Sequence, residues 1–87
     1  MNGGPGPDFA PLRAVLPDSV VARFAYVGVV ADVVVYRNLD NGRELALDRR
    51  GVAHDLLGGA YWPVPRTAAL HFALGETDVR PMPGRDG

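Results

Sequence analysis

His54 and His71 are the two side chains whose ordinary pKa lies near neutrality, so any acid–base chemistry would start from them. His54 is followed by Asp55. Sequence neighbours point to opposite faces of a strand and do not face each other on a helix. A base oriented by the adjacent carboxylate is therefore geometrically poor, and a surface histidine in a capped turn is expected instead. His71 sits in the apolar run TAALHFAL, where a core-edge histidine bonded to backbone is expected rather than a ligand. The hydroxyl nucleophiles are limited to Ser19, Thr67 and Thr77, and no G-x-S-x-G elbow surrounds Ser19. Cysteine is absent, which removes thiol catalysis, thiolate zinc sites and disulfides. The carboxylates Asp40, Glu44, Asp48 and Asp55 are scattered, and DNG at 40–42 lacks the other ligands of a calcium loop. The glycine-rich stretch LLGGAYW at 56–62 runs into proline instead of a helix carrying lysine. It is expected to be a breaker rather than a phosphate cradle, so neither metal nor cofactor is expected.

The residue types enriched at binding hot spots do occur together. AYWPVPR at 60–66 combines Tyr61 and Trp62 with two prolines and Arg66. The competing role is structural, with Trp62 capping the small core. Arg49 and Arg50 stand side by side in DRRG at 48–51. Such a pair can grip a phosphate or an acidic partner, although a solvated rim balanced by Asp48 and Asp55 is the commoner use. Tyr61, Trp62, Arg66, Arg49 and Arg50 are thus the candidate partner-binding residues.

Composition narrows the classes. The chain has 87 residues, enough for one domain and a modest core, and 47% of them are hydrophobic. It has no isoleucine, lysine or glutamine, so Val, Ala and Leu must build the core and all nine basic residues are arginine. Ten acidic residues leave a net charge of −1, without the basic excess that nucleic-acid binders show. No segment reaches the roughly 20 apolar residues of a membrane span. The start, MNGGPGPDF, lacks the features of a secretory signal. A cytoplasmic location is the default expectation.

These residues must be positioned by local elements. Residues 1–8 and 81–87 are rich in glycine and proline and are expected to be disordered tails around a single β-rich domain over 9–80. DFAPLRAVLP could form a helical turn with Asp8 as cap, Phe9, Leu12 and Leu16 on one side, and Pro17 as its stop. RFAYVGVV, DVVVYRNL and RELALDR have the β-branched and alternating character of strands, with Gly28 marking a bulge or bend. In DRRGVAHDLLGG, Val52, Leu56 and Leu57 would cover one face of a helical turn closed by Gly58 and Gly59. Residues 67–74 suit either an alternating strand or a two-turn helix ending at Gly75, and the strand is preferred. The fold class is therefore mostly β or α+β. The architecture expected is a small antiparallel meander, or an SH3-like barrel by general resemblance, of three to five strands with one or two short helical turns.

The hairpin YRNLDNGRELALD at 36–48 admits two registers. A two-residue Asn41–Gly42 loop pairs Tyr36 with Leu47 and brings Asn38 into the apolar face. A three-residue loop, Asp40–Asn41–Gly42, opposes Asn38 to Glu44 and gathers Val33, Val35, Leu39, Leu45 and Leu47 on one face. The second segregates polar from apolar residues better and is the one expected, with Leu39 in the core and Tyr36 on the opposite face. The hairpin tip then acts as a register lock rather than a site.

For function, the leading expectation is a non-catalytic interaction or regulatory module. It would bind another protein through the aromatic–proline–arginine patch or an exposed strand edge, including self-pairing to a homodimer. One alternative is a nucleic-acid-associated factor using Arg37, Arg43, Arg49 and Arg50, disfavoured by the charge. The other is a small enzyme or accessory subunit whose histidines and carboxylates meet only on folding.

Overall fold

A computed structural model of the chain describes residues 7–83. The tails expected at 1–8 and 81–87 fall largely outside that range. Eight elements follow one another: α1 (Ala10–Arg13), α2 (Asp18–Val21), β1 (Phe24–Val30), β2 (Val33–Asn38), β3 (Glu44–Leu47), β4 (Ala53–Leu57), β5 (Ala60–Val64) and α3 (Arg66–Ala73). The strands form one antiparallel sheet in the order β1-β2-β3-β4-β5. The meander alternative is thus the one adopted. The sheet is open rather than a closed barrel, because β1 and β5 are both edge strands. No helix among the described residues is long and apolar enough to cross a membrane.

The N-terminal helical turn forms, but with other bounds than expected: Phe9 rather than Asp8 holds the N-cap position, α1 ends at Arg13 with Ala14 as its C-cap, and Pro17 is the N-cap of α2 rather than the stop of α1. Asp8 Oδ1 accepts the Ala10 amide, Leu12 is fully buried, and Phe9 and Leu16 pack on the core. The strand-forming run then splits at Ala31–Asp32, a two-residue turn joining Val30 to its partner Val33. Both turn residues have positive φ, 50° and 68°, as a type I′ turn requires. The β1–β2 register shifts between Tyr26 and Gly28. This bulge, with Val27 as the extra residue, falls where Gly28 points to one.

Two expectations are corrected here. Residues 53–57 are strand β4, not part of a helical turn, and Gly58–Gly59 is the two-residue turn to β5. Two glycines are the best residues for a hairpin turn with positive φ at both positions, and the paired strand outcompetes a lone helical turn. Residues 67–74 take the helical alternative. Pro65 rather than Thr67 occupies the N-cap position. Gly75, at φ +79°, donates to the Phe72 carbonyl, and Glu76 donates to that of His71. These two bonds are the Schellman closure that only a left-handed residue allows cheaply.

The central hairpin corrects the register. Val34 lies opposite Leu47, Tyr36 opposite Leu45 and Arg37 opposite Glu44. Asn38 N donates to Arg43 O and Gly42 N to Asn38 O, leaving a four-residue loop, Leu39 through Gly42. Neither sequence-derived register is adopted. The shift swaps the faces of β2 relative to β3. Tyr36 becomes fully buried, Leu39 is 66% exposed, and Asn38 is only 1% exposed.

The main core lies between one sheet face and the helices. Val34, Tyr36, Leu45, Leu47, Ala53 and Val64 meet Leu12, Val21, Phe24, Ala69 and Ala73. Phe9 stacks on Tyr36 with centroids 5.7 Å apart. The Tyr36 hydroxyl donates to Asp8 O at 2.6 Å. Burial, reinforced by the Asp8 charge, pushes its pKa up to about 12. On the reverse face Val33, Val35 and Ala46 form a smaller buried cluster, against which Tyr61 packs.

Asn38 is tolerated in the core because both ends of its amide have partners. Nδ2 donates to Ala73 O at 2.9 Å, and Oδ1 accepts Asp40 N at 2.8 Å. Asn41 Nδ2 also donates to Ala73 O, and Arg43 Nη1 donates to the carbonyls of Phe72 and Thr77. The Arg43 guanidinium stacks 4.3 Å from the Phe72 ring and pairs with Asp78 at 2.8 Å. The hairpin tip therefore caps the C-terminal end of α3, supplying donors to carbonyls that the helix leaves free.

Two stability measurements check this account. Asn38→Ala should cost about 1–3 kcal/mol in urea denaturation, because it removes one of the two donors to the Ala73 carbonyl and leaves the Asp40 amide without its acceptor; a loss no larger than that of Leu39→Ala would contradict the capping role. Ala31→Asn combined with Asp32→Gly should stabilise the fold by about 1 kcal/mol, since alanine in the left-handed region is strained. A melting midpoint that stays put or falls would show that the turn carries no such strain.

Candidate functional site

The five candidate binding residues divide into two groups. Tyr61 and Trp62 are consecutive in β5, so they project to opposite faces of the sheet. Tyr61 is half-buried against Val33, Val35 and Ala46, and burial raises its hydroxyl pKa, helped by the Glu44 and Asp55 charges. Trp62 is 51% exposed and lies opposite Asp55. The aromatic pair is therefore not one surface.

The three arginines do converge. Arg49 and Arg50 lie in the β3–β4 turn, and Arg66 opens α3. Together they line a cavity of about 360 Å³ whose far wall is Ala10, Pro11, Ala14 and Val15 from α1 and the residues after it. The turn is built on Asp48. Its Oδ1 accepts the amides of Arg50 and Val52, and its Oδ2 meets His54 Nε2 at 3.2 Å. Burial alone would raise the Asp48 pKa, but the Val52 amide, His54 and the Arg50 amide together outweigh it and hold the carboxyl below its usual value. Gly51 completes the turn at φ +85°, and a Cβ there would come within 3.1 Å of Arg66 Nη1. That close approach lets Arg66 Nη1 donate to Gly51 O at 3.3 Å.

The histidines do not meet a common set of carboxylates. His54 engages Asp48, six residues earlier across the turn, while the adjacent Asp55 instead takes a bidentate pair of bonds from Arg80. His54 Nδ1 is buried and makes no hydrogen bond with any of the described residues. His71 Nδ1 lies 2.6 Å from Glu76 Oε1 on the surface of α3. Among the described residues no three His, Asp or Glu side chains cluster as metal ligands would. An open groove of about 640 Å³ runs past His54, Tyr61 and Phe72. Its charged side chains are largely matched internally, Arg37 to Glu44 at 2.9 Å and Arg80 to Asp55 at 2.8 Å. The Asp55 bonds raise the already high pKa of Arg80 further.

A third surface involves none of the five candidate residues and is an exposed strand edge, the other mode of binding expected from the sequence. Val27, Val29 and Val30 of the edge strand β1 are 47%, 52% and 50% exposed. The run FAYVGVV contains no charge and no proline, the devices that normally protect an edge. Those absences are visible in the sequence, but that this strand lies at an edge is not. The opposite edge, β5, carries Pro63, which lacks a backbone donor.

Comparison with known protein families, characterised protein sequences and solved structures finds no match to this chain.

The Asp48 carboxylate gives a pH-dependent test of the turn that holds Arg49 and Arg50. Its folded pKa lies below the ordinary value, so it stabilises the fold above about pH 4 and that contribution is lost as the pH falls through the folded pKa. Asp48→Ala should therefore cost about 1–3 kcal/mol near neutrality and much less near pH 2. An equal loss at both pH values would show that the ionised carboxylate is not what anchors the turn.

Proposed function

We propose that this protein is a non-catalytic interaction module that accepts an extended segment of another protein along the free edge of β1. The observation that carries this reading is an edge that lacks charge and proline and is interrupted only by the bulge at Val27. An edge strand offers a row of backbone donors and acceptors, and an added strand satisfies them while its side chains cover the exposed apolar ones. The bulge at Val27 leaves Gly28, Val29 and Val30 as the straight run beyond it. Half-exposed valines there give a partner apolar surface to bury, at roughly 25 cal/mol per Å². Pro63 disfavours the same use of β5.

The same chemistry would serve a second copy of the chain, because the edge carries no charge to repel its like. A role in the cytoplasm accords with the lack of cysteine. The nucleic-acid reading is weakened by the engagement of Arg37 with Glu44 and of Arg43 with α3 and Asp78. The small-enzyme reading is weakened by the separate pairing of His54 with Asp48 and of His71 with Glu76.

Affinity capture from the source cells, run with wild type, Val29→Lys and Trp62→Ala, tests the assignment. Val29→Lys should lose at least roughly 90% of the specific partner, as charged residues block edge pairing, while Trp62→Ala should retain it. Retention by Val29→Lys with loss in Trp62→Ala would move the interface to β5. Sedimentation of the purified protein over a range of concentrations identifies a partner that is another copy of this chain.

A further inference from the structure

We infer that the cleft between α1 and the β3–β4 turn is a binding site for a phosphate monoester carried on a small apolar body. The argument begins with how the arginines are used. Four of the eight described arginines, Arg23, Arg37, Arg43 and Arg80, have a carboxylate oxygen within 2.9 Å. Three of the remaining four, Arg49, Arg50 and Arg66, line this one cavity.

None of the three is satisfied by the described residues. Arg49 Nη2 stands 3.9 Å from Asp8 Oδ2, beyond hydrogen-bond length. Arg50 Nη2 is 3.8 Å from Asp48 Oδ2, and the Asp48 oxygens already serve two amides and His54. Arg66 meets only the neutral carbonyl of Gly51. Each guanidinium has five donors, and most of them have no partner among the described residues.

Charge and shape select the ligand class. Three guanidiniums against the single Asp8 carboxylate leave an excess of two positive charges in the lining. A phosphate monoester carries about −1.5 to −2 near neutral pH and offers three acceptor oxygens, which suits three forks better than a carboxylate does. The opposite wall, Ala10, Pro11, Ala14 and Val15, has no charged group and would cover an apolar substituent. The cavity volume of about 360 Å³ lies within the range of about 300–1,000 Å³ usual for small-molecule sites. This site is independent of the β1 edge.

Titration of the full chain with phenyl phosphate, followed by two-dimensional amide NMR, tests the inference. Saturable shifts are expected in residues 14–15 and 49–52, with weaker binding of inorganic phosphate and of benzoate. Arg49→Ala and Arg66→Ala should each weaken phenyl phosphate roughly tenfold or more, as loss of a charge-assisted hydrogen bond does. Arg13→Ala, an arginine outside the cleft, should leave the affinity unchanged. A short phosphotyrosine peptide separates the sources of the phosphate: tighter binding than phenyl phosphate assigns a phosphorylated protein side chain, and weaker binding assigns a free small ester. Shifts that do not saturate at millimolar ligand, or an affinity indifferent to Arg49→Ala and Arg66→Ala, would overturn the inference.

Discussion

The carbonyl of Ala73, at the end of α3, accepts hydrogen bonds from both Asn38 and Asn41 of the hairpin loop, and most of the architecture depends on that meeting. A helix end leaves its last carbonyls without intrahelical partners. A buried amide costs free energy unless both its ends are bonded. Neither feature is stable alone inside this protein, and each supplies what the other lacks. Because Asn38 must reach Ala73, it turns inward. Tyr36 and Val34 turn inward with it, and the pairing of β2 with β3 follows. Arg43 extends the contact by binding the carbonyls of Phe72 and Thr77 and by stacking on the Phe72 ring. The loop-closing residues of the hairpin are thus also the cap of a helix end that lies 29 to 35 residues away in sequence.

An all-arginine basic complement shapes how charge is distributed. A planar fork can bind carboxylates and carbonyls together, as Arg43 does, where a lysine ammonium would act as a single point. Arg23, Arg37, Arg43 and Arg80 each hold a carboxylate at the hairpin, the C-terminal segment or the strand ends. These exposed pairs add little stability individually, but they lower the free positive charge over that part of the surface. Of the four other described arginines, Arg49, Arg50 and Arg66 gather at the opening between α1 and the β3–β4 turn, so a nearly neutral chain still presents a local positive cleft there.

The two sheet edges differ in kind. β5 carries Pro63 in the strand and Pro65 just after it, and the chain turns at once into α3. β1 is preceded by a short helix, carries no charge, and leaves three valines half exposed at its far end. A protein that closed its meander into a barrel would have no such edge. Here the strands stop short of closure, and the β3–β4 pairing is only two residue pairs long.

Much of the local structure is written in the residues themselves. The β-branched runs specify β1 and β2, the alternation of RELALDR points to β3, Gly28 marks the bulge, and Gly75 supplies the left-handed residue that ends α3. These follow from backbone preferences, which act within a few residues. The clustering of Arg49 with Arg50 is also plain, because they are adjacent. What the tertiary structure alone decided is the face each hairpin residue takes, the helical state of residues 67–74, the pairing of His54 with Asp48 rather than Asp55, and the separation of Tyr61 from Trp62 by the sheet. Polarity placed Asn38 outside because, within its own hairpin, an amide has nothing to bond in a core. Its partner carbonyl arrives from Ala73, 35 residues later, and no local pattern can announce a hydrogen bond whose two halves meet only once the chain has folded.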